Sequence, residues 1–214
     1  MTMNTLVLDQ VTKTLQGHTV LDHVSLSLES GKIYGLVGRN GSGKTMLIRS
    51  ISGMVRPTSG AIRWNGKQLY QEIDYIPRLG LLIENIGLYP EFTGFQNLKL
   101  LAGIQKRITD ADIREAIIRV GLDPDDNRPI RKYSLGMKQK IILAQAFMEK
   151  PELLMLDEPT NALDEASVAR VRDDIKAAAA QGAIVLLASH NKEDISCLCD
   201  VVYFMEEGKL SVMQ

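Results

Sequence analysis

The residues best suited to chemistry form the segment GRNGSGKT, from Gly38 to Thr45, directly after the apolar run IYGLV. This spacing matches the phosphate-loop pattern G-x-x-x-x-G-K-[ST], which needs a strand before it and a helix after it. The glycines allow a tight turn whose backbone N–H groups point at phosphate oxygens, and the N-terminus of the following helix adds its dipole. Lys44 is expected to reach the β- and γ-phosphates, and the Thr45 hydroxyl to bind Mg²⁺. The segment therefore predicts a nucleoside-triphosphate site.

A pair of carboxylates follows a second apolar run, in the segment LLMLDEP from Leu153 to Pro159. The run predicts a buried strand, and parallel sheets bind ligands at the C-terminal ends of their strands. Asp157 is the expected partner of Mg²⁺, directly or through a water molecule, and Glu158 is placed to polarise the attacking water as a general base. An isolated Asp-Glu pair after a strand is more often a solvated loop, so the upstream phosphate loop decides for the catalytic interpretation.

The segment YSLGMKQK, from Tyr133 to Lys140, lies between these two motifs. Ser134 is suited to cap a helix whose first N–H groups stay free, and Gly136 permits close approach of another backbone. Taken alone, Ser-x-Gly at a helix start is most simply a cap. Its place between a phosphate loop and an acidic strand adds the hypothesis that it also serves phosphate.

The hydrophobic pattern predicts the elements that must position these motifs. Apolar residues alternate with polar ones in the first thirty residues, and Asn65-Gly66 is a strong hairpin signal, so an antiparallel sheet layer is expected beside the phosphate loop. The helix that begins near Lys44 is expected to end at about Met54. Three further helices are expected between about Thr93 and Lys150, the second ended by Gly121 and the third begun by Ser134.

The second half of the chain alternates between strand and helix patterns. Such alternation implies parallel strands and an α/β core. The expected elements are a strand at 153–156, a helix at 164–181, a strand at 184–187, a helix at 191–200, and a closing hairpin of 201–205 and 209–212 around Glu207-Gly208.

Bulk properties narrow the class of protein. A chain of 214 residues fits one large domain, and 45% hydrophobic and 24% charged residues are ordinary for a globular protein. The net charge of −1 shows no excess of basic residues of the kind that nucleic-acid-binding proteins use to bind phosphates. The N-terminus lacks the pattern of a signal peptide, and the apolar run 183–188 is far too short to span a membrane, so a cytosolic protein is expected. Cys197 and Cys199 are expected to be reduced thiols.

In the order and spacing of its motifs the sequence resembles the ATP-binding cassette (ABC) family, specifically the ATPase subunits of ABC transporters. The phosphate loop comes first, then the signature Ser134–Gln139, then the acidic strand. Next come Asn161–Asp164, which match the D-loop, and Ala188–His190, which match the switch histidine. The resemblance covers nearly the whole chain. It implies one α/β cassette over residues 1–214, a P-loop NTPase with a mixed central sheet, an antiparallel β subdomain and a helical subdomain inserted at about residues 85–150.

The resemblance also implies ATP and Mg²⁺ as cofactors and ATP hydrolysis as the activity. Two cassettes would pack head to tail around two ATP molecules, so that Ser134 and Gly136 of one subunit meet the γ-phosphate held by Lys44 of the other. His190 would contact the γ-phosphate of its own subunit, and Asp164 would communicate across the dimer. The expected catalytic residues are Glu158 and His190; the expected metal ligands are Thr45, Asp157 and Glu84; and the expected nucleotide-binding residues are Leu15, Val20, Gly38, Asn40, Gly41, Ser42, Gly43, Lys44, Thr45, Met46, Glu84, Ser134, Gly136 and Asp164.

Three features depart from the commoner family pattern. The signature Ser-Leu-Gly-Met-Lys-Gln replaces Ser-Gly-Gly-Gln and is similar to that of peptide-antibiotic, lantibiotic and bacitracin-type exporters. In the loop Arg78–Leu98, Glu84 stands at the position of the Q-loop glutamine, as in that subgroup, and a carboxylate cannot donate a hydrogen bond as an amide does. Leu15 stands where an aromatic residue would stack on adenine, so Leu15 and Val20 offer only apolar contact. This predicts weaker nucleotide affinity or poorer base discrimination, unless His18 supplies the ring.

The resemblance implies an ATP-hydrolysing subunit that powers export of a peptide, antibiotic or drug-like substrate through separate integral membrane permease subunits. The second cassette of the dimer is expected to be identical, and the protein would be cytoplasmic, held at the inner face of the membrane through the permease. The segment from Glu84 to about Gly103 would form much of the docking surface. Its apolar residues are equally expected of an ordinary core; they are Ile86, Leu88, Tyr89 and Phe92.

Two other functions fit the same motifs less well. A soluble cassette ATPase that acts on nucleic acid or ribosomes would be expected to carry a long coiled-coil insertion, tandem cassettes or basic tails, whereas this sequence shows one cassette, no sustained heptads and no net basic charge. No direct contact with nucleic acid is therefore expected. A cassette that only clamps ATP would not need Glu158 and His190.

Overall fold

Two sheets enclose the helix that follows the Gly-rich segment in the computed structural model, which describes residues 3–83 and 87–213. The strands, in chain order, are β1 (Thr5–Leu15), β2 (His18–Glu29), β3 (Ile33–Val37), β4 (Ser59–Trp64), β5 (Lys67–Gln68), β6 (Leu79–Leu82), β7 (Leu153–Asp157), β8 (Ile184–Ala188), β9 (Val201–Glu206) and β10 (Lys209–Val212). The helices are α1 (Lys44–Ile51), α2 (Gly94–Gln105), α3 (Asp110–Arg119), α4 (Leu135–Phe147), α5 (Glu165–Ala180) and α6 (Lys192–Leu198).

The smaller sheet is antiparallel, with the strand order β2-β1-β4-β5. Its inner face is formed by the alternating apolar side chains, such as Leu6 and Leu8 of β1, which are buried. The turn between β4 and β5 is Asn65-Gly66, with φ values of +50° and +80°. Two positive φ angles in succession are typical of the tight hairpin turn that Asn-Gly favours. The predicted antiparallel layer and hairpin are confirmed.

The larger sheet has the order β10-β9-β3-β8-β7-β6, in which every neighbouring pair is parallel except β10 with β9. It is therefore a mixed sheet, and the expected α/β class is confirmed. The sequence pattern did not predict β6, which pairs with β7 at the edge of this sheet. None of the helices in the described ranges has the length and apolar character that crossing a bilayer requires.

Two hydrophobic layers lie on opposite faces of the larger sheet. One layer packs α1, through Leu47, Ile48 and Ile51, between the two sheets. The other packs α2 to α6 against the far face of the sheet. Strand residues alternate between the layers: Met155 of β7 contributes to the first, and Leu154 contributes to the second. Both faces of the central strands are thus covered, which explains why β7 and β8 are apolar throughout.

Polar residues fix the helix starts near the motifs. Ser134 caps α4, Asp164 caps α5 and Asn191 caps α6, each by accepting a hydrogen bond from a backbone N–H group of the first turn. The predicted starts of these helices are confirmed to within a residue. Helix α1 begins at Lys44 as predicted but ends at Ile51 rather than about Met54, because the chain turns at Gly53 with φ of +86°.

Candidate nucleotide-binding site

Three loops meet at one edge of the larger sheet, because β3, β8 and β7 are parallel neighbours. In the register of these strands, Ala188 at the end of β8 pairs with Leu36 on one side and with Asp157 on the other. The phosphate loop after β3 and the loops after β7 and β8 therefore leave the sheet side by side. This edge is the place where open α/β sheets bind ligands.

The phosphate loop depends on glycine at two close contacts. Gly38 has φ of +155°, and a Cβ atom there would collide with the carbonyl oxygen of Met205 in β9. Gly43 has φ of +114°, and a Cβ atom there would lie 2.8 Å from the carbonyl oxygen of Val20. Side-chain-bearing residues rarely adopt these angles, and both contacts are with backbone. The loop can therefore hold its shape only with glycine at these positions.

The turn between β9 and β10 supports the phosphate loop from behind. The backbone N–H of Gly208 donates to the carbonyl oxygen of Ser42 at 2.9 Å. The carbonyl oxygen of Gly208 accepts from the backbone N–H of Asp22 at 2.9 Å. A turn late in the chain thus ties the phosphate loop to β2, near the position where Val20 was expected to contact the base.

The Lys44 ammonium is already held within the loop that it is expected to serve. The residue is 7% exposed, and its Nζ donates to the carbonyl oxygens of Gly38 at 2.7 Å and Arg39 at 3.1 Å. These oxygens hold the charge beside the N-terminus of α1, where the free N–H groups and helix dipole also favour an anion. The arrangement suits a phosphate-binding lysine.

Thr45 and Asp157 form the oxygen pair of a candidate magnesium site. The Thr45 hydroxyl donates to Asp157 Oδ2 at 2.7 Å, and Asp157 is 6% exposed. Within the ranges that the structure describes there is no group of three or more His, Cys, Asp or Glu that would form a metal cage. Mg²⁺ in nucleotide enzymes usually takes one or two protein oxygens and completes its shell with phosphates and water. The Thr45–Asp157 pair fits that chemistry.

The Glu158 carboxylate is oriented by the loop after β8. Its Oε1 accepts a hydrogen bond from the backbone N–H of His190 at 2.9 Å, and its own backbone N–H donates to Ala188 at 2.8 Å. Glu158 also has φ of +53°, a left-handed conformation that costs a non-glycine residue energy and is concentrated at functional sites. Burial raises the pKa of Glu158, against the opposing effect of the His190 N–H bond. A raised pKa suits a carboxylate that must accept a proton.

The His190 ring joins the Glu158 loop to the phosphate loop. Its Nε2 lies 2.8 Å from Asn40 Oδ1 and 3.5 Å from Glu158 Oε1. Because an amide oxygen only accepts, this contact is a hydrogen bond when the imidazole proton is on Nε2, which then donates to Asn40 Oδ1. In that tautomer the N–H is occupied by Asn40, so an anion that approaches between the two loops would accept from it by displacing Asn40.

A cavity of about 400 Å³ unites these groups. Its lining includes residues of the phosphate loop, the acidic strand and the switch-histidine loop, together with the apolar side chains of Val20 and Met46. The lining residues are Val20, Asn40, Gly41, Gly43, Lys44, Thr45, Met46, Asp157, Glu158 and His190.

Other expected site residues lie outside this cavity. Leu15 is at the end of β1, is 40% exposed and is paired with His18 across the β1–β2 hairpin. Ser134 and Gly136 are at the start of α4, and Asp164 is at the start of α5. Glu84 and Ile86 lie outside the described residues. The structure thus brings together the phosphate, acidic and switch motifs within one chain, but not the signature.

The signature helix and the loop after β7 touch within the chain. A Cβ atom at Gly136 would lie 2.7 Å from the carbonyl oxygen of Ala162. The Gln139 amide donates weakly to the carbonyl oxygens of Glu158 and Pro159, at 3.4 Å and 3.3 Å. The sequence placed Gln139 in the signature but gave it no role of its own, and its position within the signature was the available signal.

Known proteins share these motifs and this fold. The family model described as "ABC transporter" matches residues 21–161. YybJ of Bacillus subtilis, an uncharacterized ABC transporter ATP-binding protein, is 47% identical over 95% of this chain and 94% of its own length. The bacitracin transport ATP-binding protein BcrA of Enterococcus faecalis is 35% identical, over 94% of this chain and 66% of its own length. The lantibiotic transport ATP-binding protein SrtF of Streptococcus pyogenes is 32% identical, over 96% of this chain and 88% of its own length.

Solved structures agree in fold. An ATP-binding subunit of an ABC transporter superposes with a TM-score of 0.87 at 26% identity, covering 97% of this chain and 90% of that chain. The dimeric structure of MJ0796, a bacterial ABC transporter cassette, gives a TM-score of 0.87 at 20% identity, covering 98% of this chain and 99% of that chain.

Proposed function

This chain belongs to the family of ABC transporter ATP-binding ATPases, and we propose that it powers the export of a peptide, antibiotic or drug-like substrate through separate membrane subunits. The relatives BcrA and SrtF are named for bacitracin and lantibiotic transport, which supports a substrate of this class. The signature Ser-Leu-Gly-Met-Lys-Gln supports the same subgroup. The protein then works in the cytoplasm, at the inner face of the membrane.

Each group in the cavity has a role in hydrolysis. Lys44 and the N–H groups of the phosphate loop bind the β- and γ-phosphates and offset their charge. Thr45 and Asp157 would hold Mg²⁺, which would neutralise charge on the phosphates. Glu158 accepts the proton of the attacking water, and the His190 imidazole donates a hydrogen bond to the γ-phosphate.

The single observation that carries this proposal is the contact between Glu158 and His190 within the same cavity as Lys44. A base and a hydrogen-bond donor are thereby set on opposite loops around the place where a γ-phosphate would lie. The raised pKa of Glu158 adds to the argument, because a base works best when its pKa approaches the working pH.

A second cassette completes the site. Ser134 and Gly136 lie outside the cavity, at the N-terminus of α4, where free N–H groups are suited to a phosphate. In a head-to-tail dimer these groups close the γ-phosphate site of the partner, and Asp164 lies on the loop between the two sites. The related cassette MJ0796 is described as dimeric, which supports this arrangement.

The segment from Glu84 to about Gly103 forms much of the docking surface for the permease in this proposal. The rings of Tyr89 and Phe92 pack in a tilted arrangement with centroids 5.4 Å apart, yet the two residues are 54% and 40% exposed. Exposed aromatic pairs are typical of interaction sites, because they offer a large apolar area at small entropic cost. Glu84, which we assign to the same coupling region and to Mg²⁺, lies outside the described residues.

The replacement Glu158→Gln tests the catalytic role. The variant should bind ATP with near-normal affinity, lose hydrolysis by at least about a hundredfold, and accumulate as an ATP-bound dimer on size exclusion. Glu152→Gln is the matched control, because Glu152 lies just before the opposite end of β7. Near-normal turnover by Glu158→Gln would remove Glu158 from the role of base.

A mixing experiment tests the shared site. Lys44→Ala and Ser134→Arg each disable both sites of a homodimer, but a mixed dimer keeps one site with an intact Lys44 and an intact Ser134. An equal mixture should recover on the order of a quarter of the wild-type ATPase rate, since half of the dimers are mixed and each has one complete site. A mixture as inactive as its two parents would count against the head-to-tail arrangement.

Co-purification separates export from the rival function of a soluble ATPase on nucleic acid or ribosomes. A membrane permease in the pull-down supports export, whereas ribosomes or DNA support the rival. The net charge of −1 disfavours the rival, because nucleic-acid binding draws most of its affinity from basic residues.

A further inference from the structure

A completely buried carboxylate lies behind the Glu158 and His190 loops. Asp194, in the first turn of α6, is 0% exposed and takes no part in the chemistry described above. A buried charge is costly unless it is paired and hydrogen-bonded. Its two oxygen atoms have different sets of partners, and this difference reveals its role.

The oxygen Oδ1 is neutralised by Arg172 of α5. The guanidinium donates to it from Nε at 2.8 Å and lies 2.7 Å away at Nη2. Arg172 also pairs with Glu193 at 2.9 Å, and these acidic partners raise the pKa of Arg172. This half of the network secures α6 to α5, and it would suffice if Asp194 served only to hold the two helices together.

The oxygen Oδ2 accepts from two loops that leave the sheet separately. The Thr160 hydroxyl, two residues after Glu158, donates to it at 2.7 Å. The Ser189 hydroxyl, one residue before His190, donates to it at 3.4 Å. Ser189 Oγ in turn accepts from the backbone N–H of Asn191 at 3.0 Å, so its position also fixes the loop on the far side of His190.

The two loops carry the groups that must stay aligned. The backbone N–H of His190 orients the Glu158 carboxylate, so a shift of either loop changes the direction of the base. Asp194 links the two loops on the side away from the cavity, through Thr160 and Ser189. The His190 N–H links them at the cavity, through Glu158. The loop after β7 also continues through Ala162 to the signature contact at Gly136, so the same network reaches the element assigned to the partner's site.

We propose that Asp194 is a positioning residue for ATP hydrolysis, which fixes the loops of Glu158 and His190 relative to each other through Thr160 and Ser189. The inference rests on the proposed roles of Glu158 and His190. Asp194 itself does not touch the nucleotide; it sets the angle at which the base and the imidazole meet the γ-phosphate. Misplacement of catalytic groups by a fraction of an ångström costs rate while it leaves the binding of ATP almost unchanged.

The main test is a double-mutant cycle on kcat. Thr160→Val removes the hydroxyl and leaves a side chain of similar size. This variant should lower kcat about tenfold, as expected for one lost hydrogen bond to a charged group, and should change KM for ATP less than about threefold. Ser189→Ala, with the longer bond, should lower kcat about threefold. If both hydroxyls act through Asp194, the kcat of the double variant should be reduced by no more than about tenfold relative to the wild type. Independent effects would multiply to a reduction of about thirtyfold.

Matched variants separate positioning from stability. Thr160→Ser restores the hydroxyl and should return kcat to within about twofold of wild type, which a purely packing role of the threonine methyl would not explain. Asp194→Asn should lower both the melting temperature and kcat. Asp174→Asn breaks another ion pair of α5, with Arg119 at 2.6 Å, and should lower the melting temperature without changing kcat.

Defined results overturn the proposal. A normal kcat for Thr160→Val, or a double variant whose loss equals the product of the single losses, shows that the two loops are not linked through Asp194. If Asp194→Asn does not fold, the Thr160 series still decides the matter. Glu158→Gln is measured alongside: its normal turnover would refute the proposed role of Glu158, whereas an inactive Glu158→Gln with a normal Thr160→Val refutes the Asp194 proposal alone.

Discussion

Replacement of Gly136 by alanine tests how tightly the signature helix must approach the loop Asn161–Asp164. The new Cβ atom would lie 2.7 Å from the carbonyl oxygen of Ala162, whereas ordinary contacts begin at 3.4 Å. The helix start and the loop must therefore separate by about 0.7 Å. Gly136 is in the first turn of α4 and has no positive φ, so alanine suits its backbone and favours the helix by up to about 1 kcal/mol.

The expected outcome is a loss of turnover without a loss of ATP binding. A displacement of this size at groups assigned to the γ-phosphate should lower kcat by about ten- to a hundredfold. The dissociation constant for ATP, measured on the monomer by fluorescence, should stay within about twofold, because Gly136 and Ala162 do not line the cavity of Lys44. The melting temperature should change little, since helix propensity and steric strain oppose each other.

Gly103→Ala is the matched control. Gly103 also lies within a helix, and a Cβ atom there would meet nothing within 4 Å. This variant should gain about 1 kcal/mol of stability, or roughly 2–4 °C in melting temperature, with an unchanged rate. If Gly136→Ala is folded and its kcat lies within twofold of wild type, the close contact between signature and loop has no catalytic importance.

Three further predictions concern the nucleotide, the base and the thiols. Leu15→Tyr supplies an aromatic ring for adenine and should lower the ATP dissociation constant by about ten- to a hundredfold in a titration, whereas no change would place the base elsewhere. Because burial raises the pKa of Glu158 above its ordinary 4.5, the contribution of this carboxyl group to stability is greatest below that ordinary value and is lost as pH rises through the folded pKa. Glu158→Gln carries no titrating group at this position, so it should melt at a higher temperature than the wild type at pH 7. This difference in melting temperature should disappear near pH 4, and a difference that persists there would have another cause. Burial raises the pKa of Cys199 to about 12, so at pH 8 iodoacetamide should label the exposed Cys197 and leave Cys199 of the folded protein unmodified, as mass spectrometry would show.

Local signals were sufficient for most elements and for the residues of the cavity. Capping residues such as Ser134 and Asp164 predicted helix starts, because a side-chain oxygen satisfies N–H groups of the first turn wherever the helix packs. The hairpin at Asn65-Gly66 was predictable for the same reason, since its turn is decided by two neighbouring residues. The phosphate, acidic and switch motifs each follow a strand, so parallel pairing was enough to predict that they meet.

Features that depend on distant partners were not predictable from local patterns. Strand β6, of sequence LGLL, exists because it pairs with β7, whose residues lie more than seventy positions later. The insertion of β8 between β3 and β7 is likewise a property of the whole sheet. Nothing in the local sequence distinguishes Asp194 from other acidic residues in a first helical turn, and only the tertiary structure shows Arg172, Thr160 and Ser189 around it.

The support that the β9–β10 turn gives to the phosphate loop has a consequence for biosynthesis. The loop is among the early parts of the chain to leave the ribosome, but Met205 and Gly208, which press against Gly38 and hold Ser42, are translated far later. At about 5–20 residues per second the delay is on the order of ten seconds. During this interval the nascent chain contains the phosphate loop but lacks the contacts from Met205 and Gly208 that support it. We therefore expect a stalled or shortened polypeptide that ends before β9 to bind ATP more weakly than the finished protein.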